Sequence, residues 1–226
     1  MTPSSGSGNG TRERPAGDAA AAVGAPASKR VLRSQGRRTM RKLLDAAMIA
    51  FDQRGYYNTR VNDVVEIAKT SHGTFYLYFS NKEDLLRALV TEAAGEAQSL
   101  YDALNTLPAE GGAPQWDDVY RWVKAFSELW QSYAPLFRSW TDLATIDPEL
   151  VAIMRETFTA MSSALSKQIH PDSSGHVIDP EVAGMATLAM LDRFHYFLEF
   201  SGKPIDEVAL GTMTTMVYRA FVDPNA

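Results

Sequence analysis

The stretch from Thr59 to Phe79, TRVNDVVEIAKTSHGTFYLYF, decides how this chain is read. Val61, Val64, Val65 and Ala68 recur at the three-and-four spacing of a helix with one buried stripe, which predicts a short helix over about 60–68 with Thr59 as its N-cap. Lys69-Thr70 then makes a brief turn, and Ser71 starts a second short helix carrying Phe75 and Phe79 four apart on one face. Two short helices across a tight turn have the spacing of a helix-turn-helix, whose second helix enters the major groove by its N-terminal end. The residue types suit that task. Ser71, His72, Gly73 and Thr74 are small or polar, leaving room for close approach, while Tyr76 and Tyr78 carry hydroxyls that reach phosphate. Phe75 and Phe79 are assigned to the core. Spacing alone is only moderately specific, because short helix pairs with polar turns also occur in ordinary bundles.

The flanks extend the pattern. Leu43, Leu44, Ala47, Met48, Ala50 and Phe51 predict an amphipathic helix from Arg37 that ends near Gly55. Ser80-Asn81-Lys82-Glu83 reads as a capping box opening a fourth helix, through Leu85, Leu86, Leu89 and Val90 to about Leu104. Lys82, in its first turn, adds a cation beside backbone amides that favour phosphate. With Arg37, Arg38, Thr59, Arg60, Lys69 and Thr70, these residues form the expected DNA-facing set.

Charge supports a polyanionic partner despite a net charge of −5. Residues 1–90 hold 14 Lys and Arg against 8 Asp and Glu, and residues 91–226 hold 8 against 19. A basic head on an acidic body orients itself on DNA, although such lopsidedness also arises by chance. The 226 residues, 45% of them hydrophobic, suffice for a packed core. No run approaches the ~20 apolar residues of a membrane span, and none reads as a signal peptide. The absence of cysteine excludes disulfides and thiolate chemistry, and a cytoplasmic location is expected.

Residues 1–34, rich in Ser, Gly, Ala and Pro, read as a disordered basic arm, either following a DNA groove or merely solubilising. Residues 35–83 form the head and 84–226 the body. Beyond a Gly- and Pro-rich loop (107–114), five helices are predicted at about 115–134, 136–145, 148–170, 180–201 and 205–222, giving an all-α fold of about nine helices. Asp147-Pro148-Glu149 and Asp179-Pro180-Glu181 each supply an N-cap, a proline at the first helical position and a first-turn acid.

From Arg41 to Leu86 the string runs without a gap through Ala46-Ala47, Phe51, Gly55-Tyr56, Thr59, Val61, Asp63-Val64, Ala68, Ser71, Gly73-Thr74-Phe75-Tyr76, Tyr78-Phe79, Lys82-Glu83 and Leu85-Leu86. It resembles the N-terminal domain of TetR/AcrR-family transcriptional regulators. One departure concerns the turn, where the family usually has Ala-Gly-Val-Ser and this chain has Ala68-Lys69-Thr70-Ser71. A positive φ there would cost Lys about 1 kcal/mol or more. Thr70, replacing an apolar residue, weakens the contact between the two helices.

The resemblance implies a C-terminal ligand-binding and dimerisation domain, with the last two long helices (180–201 and 205–222) pairing in a homodimer. Their apolar faces, Met185, Leu188, Ala189 and Tyr196, then Val208, Leu210, Met213, Met216 and Val217, would serve equally as a monomer core. It also makes an apolar pocket the expectation for an aromatic stripe that otherwise reads as plain core. Trp122, Phe126, Trp130, Phe137 and Trp140, with Met154, Phe158, Met161, Met190 and Phe194, would line it, for a hydrophobic effector such as an acyl chain, a sterol-like molecule or a drug. Asp192, Arg193 and His195 read as a polar anchor in that pocket or, more simply, as a salt bridge or exposed face. His170, Asp172 and His176 lack a recognised metal-ligand spacing, so neither a metal nor a cofactor is expected.

The functional expectation is a dimeric regulator, in repressor mode, released from a double-stranded operator by its effector, because linkage makes ligand and DNA weaken each other's binding equally. The alternative is a TetR-like DNA-binding protein without an effector, serving DNA organisation or protein partners. An enzyme is not expected, since there is no nucleophile-base pair, metal cluster or glycine-rich phosphate loop.

Overall fold

The alternation of apolar stripes and capping residues resolves into helices throughout the computed structural model, which describes residues 34–107, 114–138, 147–169 and 179–219. The described helices are α1 (Ser34–Asn58), α2 (Val61–Ile67), α3 (His72–Tyr78), α4 (Lys82–Asn105), α5 (Trp116–Ser132), α6 (Ala134–Arg138), α7 (Pro148–Ser166), α8 (Pro180–Phe200) and α9 (Glu207–Val217). The fold is all-α, and no strand occurs among the described residues. The expected arm at 1–34 lies outside the described residues except for Ser34, which opens α1. The His170 to His176 segment and Trp140 lie outside them too.

Helix α1 buries Leu43, Leu44, Ala46, Ala47, Ala50 and Phe51, then meets Gly55 at φ 71° and ψ 161°. That conformation suits glycine and breaks the hydrogen-bond ladder, so the chain kinks and one more turn runs to Asn58 beyond the expected end. Helix α2 ends on a Schellman turn. Thr70 N donates to Val65 O at 3.0 Å and Lys69 N to Glu66 O at 3.1 Å, with Lys69 left-handed at φ 51°. The positive φ anticipated for Lys69 is therefore present.

Two expected caps are corrected. Arg60 stands at the N-cap of α2, its amide donating to Asp63 Oδ2 at 2.8 Å, while Thr59 lies inside. The fourth helix is capped by Asn81 with Asp84, not by Ser80 with Glu83. Asp84 N donates to Asn81 Oδ1 at 2.7 Å, and Asp84 reaches back to accept from Ser80 N at 3.0 Å. The two Asp-Pro-Glu starts fold as the sequence implies. Asp147 accepts from Glu149 N at 2.8 Å, and Asp179 accepts from Glu181 N and Val182 N at 2.9 and 3.0 Å.

One cluster of buried residues runs from head to body. Leu85, Leu86 and Leu89 near the start of α4 are fully buried, as are Phe75 and Phe79, whereas Ala97, Leu100 and Leu104 extend the same helix into the body. In the body α7 packs between α4 and α8, and α9 lies against α5. The α7–α8 crossing is close enough to need glycine, because a Cβ on Gly184 would stand 2.4 Å from Ser162 O.

Ion pairs reinforce this union. Arg138 on α6 joins Asp52 of α1 to Glu199 of α8. Arg87 of α4 pairs with Asp147 at the start of α7, and its Nε lies 3.0 Å from Glu149. The Arg87 guanidinium holds the Asp147 carboxyl below its ordinary pKa.

Candidate nucleic-acid interface

Helix α3 turns Phe75 fully inward and keeps Thr74 and Tyr78 half-buried, which leaves His72, Gly73, Tyr76 and Leu77 facing outward. Its start is fixed by Ser71, whose Oγ accepts from Thr74 N at 3.1 Å and lies 3.0 Å from Thr74 Oγ1. Behind it the Phe75 and Phe79 rings pack at 5.7 Å between centroids. The outward face is thus backed by a closed aromatic core, which limits how far it can yield when a partner presses on it.

Arg60 and Asn62 are exposed at the start of α2, and Arg37 and Arg38 near the start of α1. Lys69 and Thr70 sit instead on a cleft of about 120 Å³ shared with Thr39, Lys42, Leu43 and Ala68, to which α3 contributes nothing. Two members of the expected DNA-facing set have internal duties. Thr59 is 1% exposed, with its Oγ1 3.1 Å from Ala50 O and 2.8 Å from Gly55 O. Its hydroxyl is held against two carbonyls of α1, one of them at the Gly55 kink.

Lys82 is half-buried. Its Nζ donates to Tyr56 O at 2.8 Å and Thr59 O at 2.9 Å and stands 4.1 Å from the Tyr56 ring centroid. Burial lowers its pKa, opposed by the charge of Glu83. Two of the three ammonium donors thus clamp the α1–α2 connection. Tyr56 donates to Glu83 at 3.3 Å, and burial raises its phenol pKa. Sequence reasoning passed over Leu77, 60% exposed beside Tyr76. Its place opposite the Phe75 side of a helical wheel was a usable signal.

In the body the expected pocket residues are distributed unevenly. Trp122, Phe126, Trp130 and Met154 are buried core; Phe137, Met190 and Phe194 are partly buried against it; Phe158 is 38% exposed. The rings pack on one another. Trp122 and Phe126 are 5.6 Å apart, Trp130 and Phe137 6.3 Å, and His195 lies 5.5 Å from Phe126 and 5.4 Å from Trp130.

Of the three polar residues, Arg193 and Asp192 form the expected ion pair, at 3.6 Å, whereas His195 is neither exposed nor in a salt bridge. It is fully buried, with Nδ1 2.6 Å from Leu191 O and Nε2 2.7 Å from Ser127 Oγ. Burial lowers its pKa, partly offset by the Leu191 carbonyl and Asp192. Asp192 accepts from Trp130 Nε1 at 3.1 Å, and Arg193 lies 4.9 Å from the Tyr196 ring centroid. No group of three potential metal ligands occurs among the described residues, and no described helix is long and apolar enough to cross a membrane.

Residues 43–89 match the family of bacterial regulatory proteins described as the tetR family. Over these residues, which span α1 to the start of α4, the chain is similar to the helix-turn-helix part of TetR-type transcriptional regulators. It is 32% identical over 73 residues to the uncharacterized HTH-type transcriptional regulator YdgC of Bacillus subtilis (strain 168), covering 32% of this chain and 37% of that protein. It is 38% identical over 55 residues to the fatty acid metabolism regulator protein of the same organism, covering 24% and 28%. These alignments span well under half of either relative's length. The solved structure of the transcriptional regulator FadR from Bacillus subtilis in complex with stearoyl-CoA has a TM-score of 0.57 at 21% identity, covering 78% of this chain and 96% of that one. That likeness is one of fold.

Proposed function

We propose that this chain is a homodimeric repressor whose paired α3 helices read the two half-sites of a DNA operator. The observation that carries the reading is the outward face of α3, where His72, Gly73 and Tyr76 are exposed while Phe75 faces the core, with Arg60 exposed at the start of α2. Ser71, His72, Thr74 and the glycine-bared backbone at Gly73 meet base edges; Arg37, Arg38, Arg60, Tyr76 and the spare donor of Lys82 meet phosphates. Thr59 supports them from inside, and Tyr78 does so from its half-buried place.

Dimerisation is supported by apolar side chains left outside on α8 (Val182, Met185, Phe197, Phe200) and α9 (Val208, Met216). Large apolar side chains exposed in this number on two helices suit a protein interface. A two-fold pair would bind half-sites about 34–36 Å apart or a multiple of that. Selection from a random duplex library with the full chain tests the reading. The expected result is an inverted repeat, bound less tightly by Tyr76→Ala on every sequence and with altered base preference by His72→Ala. Failure to enrich any sequence overturns it.

For the effector we propose a long-chain acyl thioester, supported by the regulator of fatty acid metabolism and the stearoyl-CoA complex among the similar proteins. Stearoyl-CoA should release the DNA while CoA alone should not. The contact between the Trp122, Phe126, Trp130 and His195 rings favours a second reading, in which these aromatics are core and the body answers to a protein partner. Undiminished DNA binding across acyl-CoA chain lengths selects it.

A further inference from the structure

Helix α3 departs from ordinary helix composition at two neighbouring points, Gly73 and Leu77. Glycine inside a helix is less stable than alanine. Among the described residues a Cβ on Gly73 would meet only Ser71 Oγ, at 3.7 Å, and the φ of Gly73 is not positive. Leu77 is 60% exposed and is the one large aliphatic side chain on the outward face of α3. The two residues are four apart and therefore lie above one another on the same face. Phe75 and Tyr78 mark the inward side, so Gly73 and Leu77 share the outward one with His72 and Tyr76. Local choices that run against the fold on one shared face mark a surface shaped for something outside it.

We infer that Leu77 reads the C5-methyl of a thymine in the major groove, with Gly73 as the recess that lets the helix backbone come close enough. The inference rests on the DNA-binding reading above and adds a base identity to it. Among the base edges of the major groove only thymine presents a methyl, so an apolar side chain there separates thymine from cytosine. Leu77 shares its face with the polar residues His72 and Tyr76, and Arg60 is exposed on the preceding helix of the pair, a setting that complements DNA rather than an apolar protein face.

The test replaces thymines of the selected duplex, one at a time, by deoxyuridine, which removes the methyl and keeps pairing. For the wild-type chain, one thymine in each half-site should lower affinity roughly three- to five-fold when replaced, as expected for one buried methyl. Leu77→Ala should bind the thymine and uracil duplexes equally and stay folded by circular dichroism, because the side chain packs little against its own fold. Gly73→Ala should weaken binding of both duplexes by holding the helix away. Silent uracil substitution throughout overturns the inference while leaving DNA binding intact. So does a Leu77→Ala chain that keeps the thymine preference, or one whose DNA affinity is unchanged, which assigns Leu77 to a protein contact. If no duplex is enriched at all, the DNA-binding reading and this inference fall together.

Discussion

Head and body build their interiors alike and differ in what they leave outside. In the head, Phe75, Phe79, Leu85 and Leu89 close a core around short helices, and the outward face of α3 is polar apart from Leu77. In the body, Trp122, Trp130, Leu150 and Leu191 close a larger core, and the outward faces of α8 and α9 are strongly apolar, with Phe200 78% exposed. Inward residues answer to packing in both regions, so they carry little functional information. The residue chemistry left in water separates a face suited to nucleic acid from one suited to a second copy of the chain.

The largest effect tests whether the two regions are one folding unit. Phe75→Ala should destabilise the chain by about 3–5 kcal/mol through the cavity it leaves. Every tryptophan lies between Trp116 and Trp140, so tryptophan fluorescence reports on the body alone. If α4 joins the cores as the continuous buried cluster implies, the fluorescence midpoint in urea should fall together with the circular dichroism midpoint. An unmoved fluorescence transition would make the head an independent unit.

The contrast between the outer faces sharpens with a charge placed on the apolar one. Phe197→Asp with Phe200→Asp should weaken self-association by about 2 kcal/mol or more, roughly thirty-fold, because central aromatics dominate such interfaces. Mass photometry would register monomers in place of dimers. Unchanged thermal stability at high dilution would show that the substitutions act between copies and not within one.

A smaller effect belongs to the body core alone. His195 has its pKa lowered by burial, so the unfolded chain takes up the proton first as pH falls. The stability held above about pH 6.5 should therefore decline below it, by up to about 1.4 kcal/mol per pH unit until the folded ring also protonates. Asp147, held below the ordinary carboxylate range by Arg87, loses its contribution only in more acid solution. Urea titrations at pH 7, 6 and 5 should give a slope that His195→Gln flattens; a parallel slope in that variant would assign the pH dependence elsewhere.

Much of the fold could be read directly from residue spacing. The three-and-four stripes located most of the described helices, although α6 runs over Ala134–Arg138 where a helix at about 136–145 was expected, and both Asp-Pro-Glu runs are helix starts. Function-bearing side chains were harder, because local sequence does not reveal which backbone groups lack partners. Thr59 precedes a helix and reads as a cap, yet its hydroxyl is held inside against two carbonyls of α1, one of them at the Gly55 kink. Lys82 reads as a surface cation, yet the same kink places Tyr56 O and Thr59 O around its ammonium. His195 reads as a surface or pocket group, because its partner Ser127 lies on another helix.

The smallest effect compares two turns of identical hydrogen-bond pattern. At the end of α8, Lys203 N donates to Leu198 O and Gly202 N to Glu199 O, both at 2.9 Å, with Gly202 at φ 67°. At the end of α2 the same two bonds surround Lys69 at φ 51°. The left-handed conformation strains any residue with a Cβ, so the head carries a penalty that the body avoids. Lys69→Gly should raise stability by about 1 kcal/mol, and Gly202→Ala should lower it by a similar amount, both read from urea midpoints at constant m-value. If Lys69→Gly stabilises the chain without changing DNA affinity, the lysine is a tolerated departure in the turn. If it stabilises the chain and weakens binding with a shallower salt dependence, the strain holds a cation in place for phosphate.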